Sequence, residues 1–154
     1  MTEPRWLTDD EMRAWRGYRR MRTLLDLQLA RDLAQDAGLS EADYDVLSTL
    51  SETEGHRWRL NELAGQLLWS KSRASHHISR MEQRGLVARE ECPEDGRGAM
   101  VVLTGDGMRA IVGAAPGHVA SVRRHMIDLM TEAELAALDA FSHRVVAHLT
   151  SLTR

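Results

Sequence analysis

The chain is poor in the features that would mark a secreted, membrane or catalytic protein. It has one cysteine, Cys92, in 154 residues. No intrachain disulfide can form, and a reducing compartment is expected. No apolar run approaches the roughly 18 residues that span a bilayer. The start, MTEPRWLTDDEMRAW, is charged and has no apolar core of the kind a signal peptide needs. A cytoplasmic location is expected, with no membrane partner. There is no internal repeat and no low-complexity segment. Walker A, G-x-S-x-G and dinucleotide fingerprints are all missing. The DGRG turn is too short and isolated for a phosphate loop, and no enzyme is expected. There is no H-E-x-x-H and no Cys/His cluster, so neither a structural zinc site nor a cofactor is expected. His118 and His125 stand two helical turns apart, His143 and His148 fit one helical face poorly, and the adjacent His76 and His77 point apart. A regulatory metal site assembled between helices stays open.

What is present is an ordinary globular composition, 43% apolar and 28% charged, with a net charge of −3. One domain is expected from the length. The informative stretch is Leu60–Thr104, centred on SKSRASHHISRMEQR, residues 70–84. Ala74, Ile78 and Met81 form one narrow apolar stripe at helical spacing. The opposite face carries Ser72, Arg73, His76 and Arg80, with Lys71 and Ser75 beside it. Short hydroxyls, imidazole and guanidinium groups are suited to hydrogen-bonding base edges and phosphates. The segment holds four Lys/Arg and one acid, a local charge of +3 inside an acidic chain. Binding a polyanion is a sufficient reason for that contrast; a solvated surface helix is the other.

The flanks favour the polyanion. Asn61–Leu68, NELAGQLL, is predicted as a short helix capped by Asn61, with Leu63, Ala64, Leu67 and Leu68 buried. A tight connection through Trp69 leads to Ser70, which can cap the next helix. That is a helix-turn-helix arrangement. Gly85 marks the end of the second helix. Leu86–Glu90 and Met100–Leu103 are predicted strands around the turn cluster CPEDGRGA, a β-hairpin with Arg97 at its tip. Arg57–Leu60 is an extended piece that can pair with this hairpin as a third strand; its two arginines can touch phosphates or be solvated.

This pattern, and most specifically Asp95-Gly96-Arg97-Gly98 followed by Val102-Leu103-Thr104, resembles the MarR family of winged-helix regulators and its D-x-R…L-T wing signature. The likeness extends over nearly the whole chain. It implies a mainly α fold with a small β-wing. A winged helix-turn-helix lobe, 37–104, is flanked by dimerisation helices, 1–36 and 105–154. It also implies a homodimer on double-stranded DNA, with Ser72, Arg73, Ser75, His76 and Arg80 along the major groove. Arg97 would enter the minor groove, oriented by Asp95. Repression of a near-palindromic operator is the family's habit. So is release by a small aromatic or phenolic effector, with Trp15, Tyr18, Arg22, Tyr44 and His118 as candidate lining. His77 departs from the family, which more often has an apolar residue there.

The remaining elements follow from periodicity and caps. A helix of about Thr8–Asp36 opens on the capping box Thr8/Glu11 and carries Met12, Trp15, Met21, Leu25, Leu29 and Leu33 in register. Its length points to a dimer interface; Trp6 and Leu7 before it can be covered by the partner subunit or by packing on the long helix itself. A second helix, about Glu41–Glu52, buries Tyr44, Val46, Leu47 and Leu50. Thr104 can cap a fifth helix running to about Met130, with a kink or break expected near Gly113–Gly117 because of Pro116. Thr131/Glu134 opens a last helix, about Glu132–Leu152, with Leu135, Leu138, Phe141, Val145, Val146 and Leu149 at helical spacing. Cys92, beside Pro93 at the foot of the wing, invites a redox reading, but its acidic neighbours Glu90, Glu91 and Glu94 disfavour the reactive thiolate. A redox- or metal-responsive regulator and a winged-helix protein-interaction module are the alternatives.

Overall fold

The structure, a computed structural model, describes residues 3–92 and 98–153. Among these are six α-helices and a three-stranded antiparallel sheet. The chain forms two compact units, Ala30–His118 and the pair Met1–Leu29 with Val119–Arg154. No described helix is long and apolar enough to cross a membrane.

Helix α1 is Asp9–Ala37, opened by the expected box: Thr8 N–H donates to Glu11 Oε2 at 2.8 Å and Glu11 N–H to Thr8 Oγ1 at 3.2 Å. It closes on Gly38, whose φ of 64° is the left-handed turn glycine tolerates best. Helix α2 is Glu41–Glu52, and here the capping box is Ser40 with Asp43. Its Val46, Leu47 and Leu50 are fully buried. They meet Leu63 of helix α3 (Leu60–Gln66), Ile78 and Met81 of helix α4 (Lys71–Gln83), and Val87 and Val101 of the sheet. This core fixes α4 from behind.

The sheet is ordered β1-β3-β2, with β1 Arg57–Arg59, β2 Val87–Glu91 and β3 Ala99–Leu103. Trp58 and Arg89 both pair with Val101. The extended piece before α3 is thus the third strand of the wing sheet. Because β1 runs straight into α3, the cap position falls on Arg59, which makes no side-chain cap bond. Asn61 lies inside the helix and is not its cap, a correction to the sequence reading.

Leu68 is a second correction. It was expected to be buried, yet it is 91% exposed with φ 56°. The cause is the way α3 ends. Trp69 N–H donates to Ala64 O at 2.9 Å and Leu68 N–H to Gly65 O at 3.2 Å, the bond pair of a Schellman motif. That motif requires a left-handed residue at position 68 and turns its side chain outward. Helix α4 ends in the same motif with a glycine: Leu86 N–H donates to Met81 O at 3.1 Å and Gly85 N–H to Glu82 O at 2.9 Å.

Helix α5, Gly105–His125, starts against the wing. Thr104 Oγ1 donates to Gly85 O at 2.6 Å and accepts from Gly107 N–H at 3.0 Å, so one hydroxyl caps α5 and ties it to the turn after α4. A Cβ on Gly107 would lie 2.0 Å from Leu86 O. Only glycine permits that approach. Of the kink or break expected near Gly113–Gly117, the break is absent: the helix continues through Pro116. Proline orphans one carbonyl four residues back, and that residue, Val112, is 64% exposed, so water can satisfy the oxygen. The helix stops instead at Met126, with φ −140° and ψ −64°, before a 3-10 turn at Ile127–Leu129.

Helix α6, Glu132–Ser151, opens on the Thr131/Glu134 box and has no buried residue. Phe141, Val146, Leu149 and Leu152 are each more than half exposed. On α1, Trp15, Tyr18, Met21, Leu24 and Leu27 are likewise exposed, and Leu33 alone is buried.

Candidate nucleic-acid interface

The surface of α4 is set by three anchors. At its start, Ser70 Oγ accepts from Arg73 N–H at 3.1 Å, and the first turn holds no acid. On its inner side, Ala74, His77, Ile78 and Met81 are buried. Along its flank, Arg89 of β2 donates to Ser79 Oγ at 2.9 Å, to Ser75 O at 2.7 Å and to Ser75 Oγ at 3.2 Å. The Arg89 backbone N–H donates to Glu82 Oε2 at 2.8 Å. The wing strand therefore clamps the helix by hydrogen bonds as well as by apolar contact.

Ser72, His76 and Arg80 recur at four-residue spacing and are exposed along one line. Arg73 stands beside that line and Lys71 at the start of the helix, both exposed. Ser75 is set apart from these five: it is half-buried and its oxygens accept from Arg89. Asp95 and Arg97 lie outside the described residues. The assembled face offers two guanidinium groups, an ammonium, an imidazole and a hydroxyl, with no large apolar side chain among them. Groups of this kind match phosphate oxygens and the acceptor-rich major-groove edge of guanine. On β1, Arg57 is paired with Glu90 at 2.9 Å.

Behind this face is a polar cluster that sequence reasoning missed. Asp43, 2% exposed, accepts from Ser40 N–H at 3.0 Å and from Arg84 Nη1 at 2.7 Å. Arg84 Nη2 also donates to Gly38 O at 3.2 Å. The end of α4 is thus pinned to the α1–α2 turn. His77 Nε2 stands 3.0 Å from Asp43 Oδ1, at ion-pair distance but off the line of a full hydrogen bond. Burial acts to raise the Asp43 carboxyl, but the Arg84 and Ser40 hydrogen bonds and the Arg84 and His77 charges outweigh it and hold the group below its ordinary value. Burial lowers His77 below its ordinary value; Arg80 and Arg73 add to that, and Asp43 offsets only part. The available signal was Asp43 at the third position of a helix that also needs a cap, with Arg84 just before a helix-ending glycine.

Of the candidate ligand residues, Trp15 and Tyr18 stack along α1 at 5.9 Å, with Arg22 over the Tyr18 ring at 5.7 Å. Tyr44 and His118 form a separate pair, ring centres 4.3 Å apart, and His118 Nδ1 is buried with no hydrogen-bond partner. Cys92 is buried at 4% exposure. Among the described residues no three His, Cys, Asp or Glu side chains gather closely enough to hold a metal ion.

The fold has close counterparts. AbsC, a MarR family transcriptional regulator from Streptomyces coelicolor, is 47% identical, with 96% of this chain and 99% of that chain covered and a TM-score of 0.91. The chain belongs to the MarR family of transcriptional regulators. The MarR family sequence model matches residues 39–98, from the α2 cap to the wing. A second MarR regulator from the same organism, Sco3205, was crystallised in complex with DNA. It is 40% identical, with 96% of this chain and 91% of that chain covered and a TM-score of 0.88. The transcriptional regulator HosA of Escherichia coli O111:H- is 29% identical over 102 residues, 66% of this chain and 73% of its own. The expected mainly α winged-helix fold with its small sheet is therefore the fold of this MarR protein, and the relatives are transcriptional regulators.

Proposed function

We propose that this MarR protein is a cytoplasmic homodimeric repressor of a near-palindromic operator, released by a small aromatic or phenolic effector. The observation that carries the reading is the exposed face of α4, where Lys71, Ser72, Arg73, His76 and Arg80 stand together on a helix pinned from behind. Arg97, oriented by Asp95, is assigned to the minor groove, where a narrow, A·T-rich segment attracts guanidinium through its shape. Ser75 is assigned a lesser part, through its hydroxyl hydrogen.

The dimer is supported by the terminal helices. Helices in proteins owe most of their stability to packing of an apolar face, yet α6 has no buried residue. Phe141, Val145, Val146 and Leu149 on α6, Leu152 just after it, and Trp15, Tyr18, Met21, Leu24 and Leu27 on α1 leave apolar surface that a second copy would cover. Segments 1–36 and 105–154 are accordingly assigned to dimerisation and 37–104 to the DNA-binding lobe. Two recognition helices about 34–36 Å apart fit successive major-groove faces of an operator whose symmetry matches the dimer's. Trp15, Tyr18, Arg22, Tyr44 and His118 are assigned to effector binding. An effector works by binding the DNA-ready and released states unequally.

The test is recovery of sheared genomic DNA on the immobilised protein at about 0.15 M salt, where non-specific phosphate binding is already weakened. Enrichment of one near-palindromic site supports the reading, and the adjoining genes direct the choice of phenols and aromatic acids for release assays. No enrichment by a folded dimer would overturn it and favour a protein-interaction module.

A further inference from the structure

Two side chains behind the outer face of α4 are placed to govern its arginines. Trp69, half-buried in the turn before α4, carries the Arg73 guanidinium over its ring at 4.3 Å. The His77 ring meets the same indole edge-on at 5.4 Å. His77 Nδ1 is 3.2 Å from Arg80 Nη2. An arginine only donates, so Nδ1 must hold a lone pair and the ring proton must sit on Nε2. Nε2 is the atom that faces Asp43 Oδ1 at 3.0 Å. Both neighbours select the same neutral tautomer.

We propose that Trp69 and His77 are positioning residues for DNA binding, holding the guanidinium groups of Arg73 and Arg80 in place before DNA arrives. The proposal rests on the reading of α4 as the DNA-facing helix. Its physical basis is preorganisation. A long arginine side chain loses rotamer freedom when it docks, and one already held against a ring or an imidazole loses less. The indole face attracts the Arg73 cation, and the neutral imidazole accepts from Arg80. Neither interaction uses up the guanidinium, which keeps other N–H groups for DNA.

The hold on Arg80 depends on protonation. The charged groups facing His77 are Asp43 from α2, with Arg84 bonded to the same carboxylate, and Arg73 and Arg80 from its own helix. Trp69, from the turn before α4, is neutral. Burial first, then the two arginines, keep the ring neutral near pH 7 against the pull of Asp43. A second proton would go to Nδ1, turn the acceptor into a donor and set two cations against each other. Arg80 would be released.

The experiment uses the full chain and a fluorescein-labelled duplex cut from the fragment that the genomic selection enriches. His77→Leu keeps an apolar filling but removes the acceptor; it should weaken binding about three- to tenfold, the range of one hydrogen bond. In an Arg80→Ala background the same change should have no further effect. His77→Gln can accept from Arg80 and donate to Asp43 without titrating, so it should restore affinity. Relative to His77→Gln, the wild-type chain should lose affinity in acid, with the loss setting in below the ordinary imidazole range because burial lowers the His77 ring. Trp69→Leu should behave in the same way toward Arg73→Ala. Equal losses from His77→Leu in both backgrounds, or parallel pH profiles for wild type and His77→Gln, would overturn the proposal alone. An Arg80→Ala chain that binds as wild type, or a selection that enriches no fragment, would overturn the DNA-facing reading and this proposal with it.

Discussion

Gly107→Ala puts the junction between the wing and α5 under a direct test. The added Cβ would lie 2.0 Å from Leu86 O, 2.7 Å from Leu103 Cδ1 and 3.1 Å from Leu86 C. The Leu103 methyl can rotate away; the Leu86 carbonyl cannot, because it belongs to the turn into β2 and accepts from Thr104 N–H at 3.3 Å. Relief requires the start of α5 to move back by roughly 1.4 Å, the gap between this approach and an ordinary van der Waals contact. That movement strains the Thr104 hydroxyl, which bonds Gly85 O at 2.6 Å and Gly107 N–H at 3.0 Å. Overpacking of this kind costs about 1–3 kcal/mol and a weakened cap about 1 kcal/mol more. Alanine's better helix propensity returns about 1 kcal/mol. The net expectation is a loss of about 2 kcal/mol, or a Tm lower by about 4–8 °C for a chain of this size. Gly113→Ala in the same helix is the control, since its Cβ meets nothing within 4 Å. It should gain up to about 1 kcal/mol from propensity alone. Thermal melts by circular dichroism, at one protein concentration, read both. If Gly107→Ala melts with or above wild type, the close approach of α5 to Leu86 is wrong, and so is the account of how the wing is held.

Four further outcomes are expected. Leu68→Gly should stabilise the fold by about 0.5–1 kcal/mol in urea titrations, because it relieves a left-handed leucine that is 91% exposed and packs on nothing; a loss of stability would mean that Leu68 is covered in solution. Arg84→Ala leaves the Asp43 carboxylate buried without its main partner and should cost about 1–3 kcal/mol, discounted because the Arg84 side chain is 44% exposed; an unchanged urea midpoint would show that the pair is idle. Acid should destabilise the chain in two steps. His77, lowered in the fold, binds a proton first in the unfolded state, so stability falls as pH drops below about 6.5, and Asp43, also lowered, adds a loss below about 4; His77→Gln should remove the first step, and its persistence would assign it to another histidine. Val146→Glu with Leu149→Glu should yield monomers in sedimentation and abolish operator binding at nanomolar protein; intact dimers would exclude the outer face of α6 from the interface.

Much of this MarR protein was legible in the order of its residues, and the reason is locality. Caps need a side chain and a backbone N–H three residues away, so Thr8/Glu11, Thr104 and Thr131/Glu134 could be read directly. Gly85 named a helix end because a left-handed residue is cheapest as glycine. The period of Ala74, Ile78 and Met81 named the inner face of α4, and its complement named the exposed polar face. The tertiary structure decided what locality cannot reach. Leu68 looked like a core leucine until the Schellman bonds of α3 turned it outward. Asn61 lost the cap because β1 pairs with β3, more than forty residues away in sequence, and carries the chain into α3 two residues early. Pro116 did not break α5 because the carbonyl it orphans faces solvent. His77 read as an anomaly, Arg84 as one charge among several and Asp43 not at all; only the packing of α2 on α4 joins them into one buried cluster. Sequence spacing sets which groups share a face of one element, whereas the meeting of two elements depends on how every side chain between them fills the core.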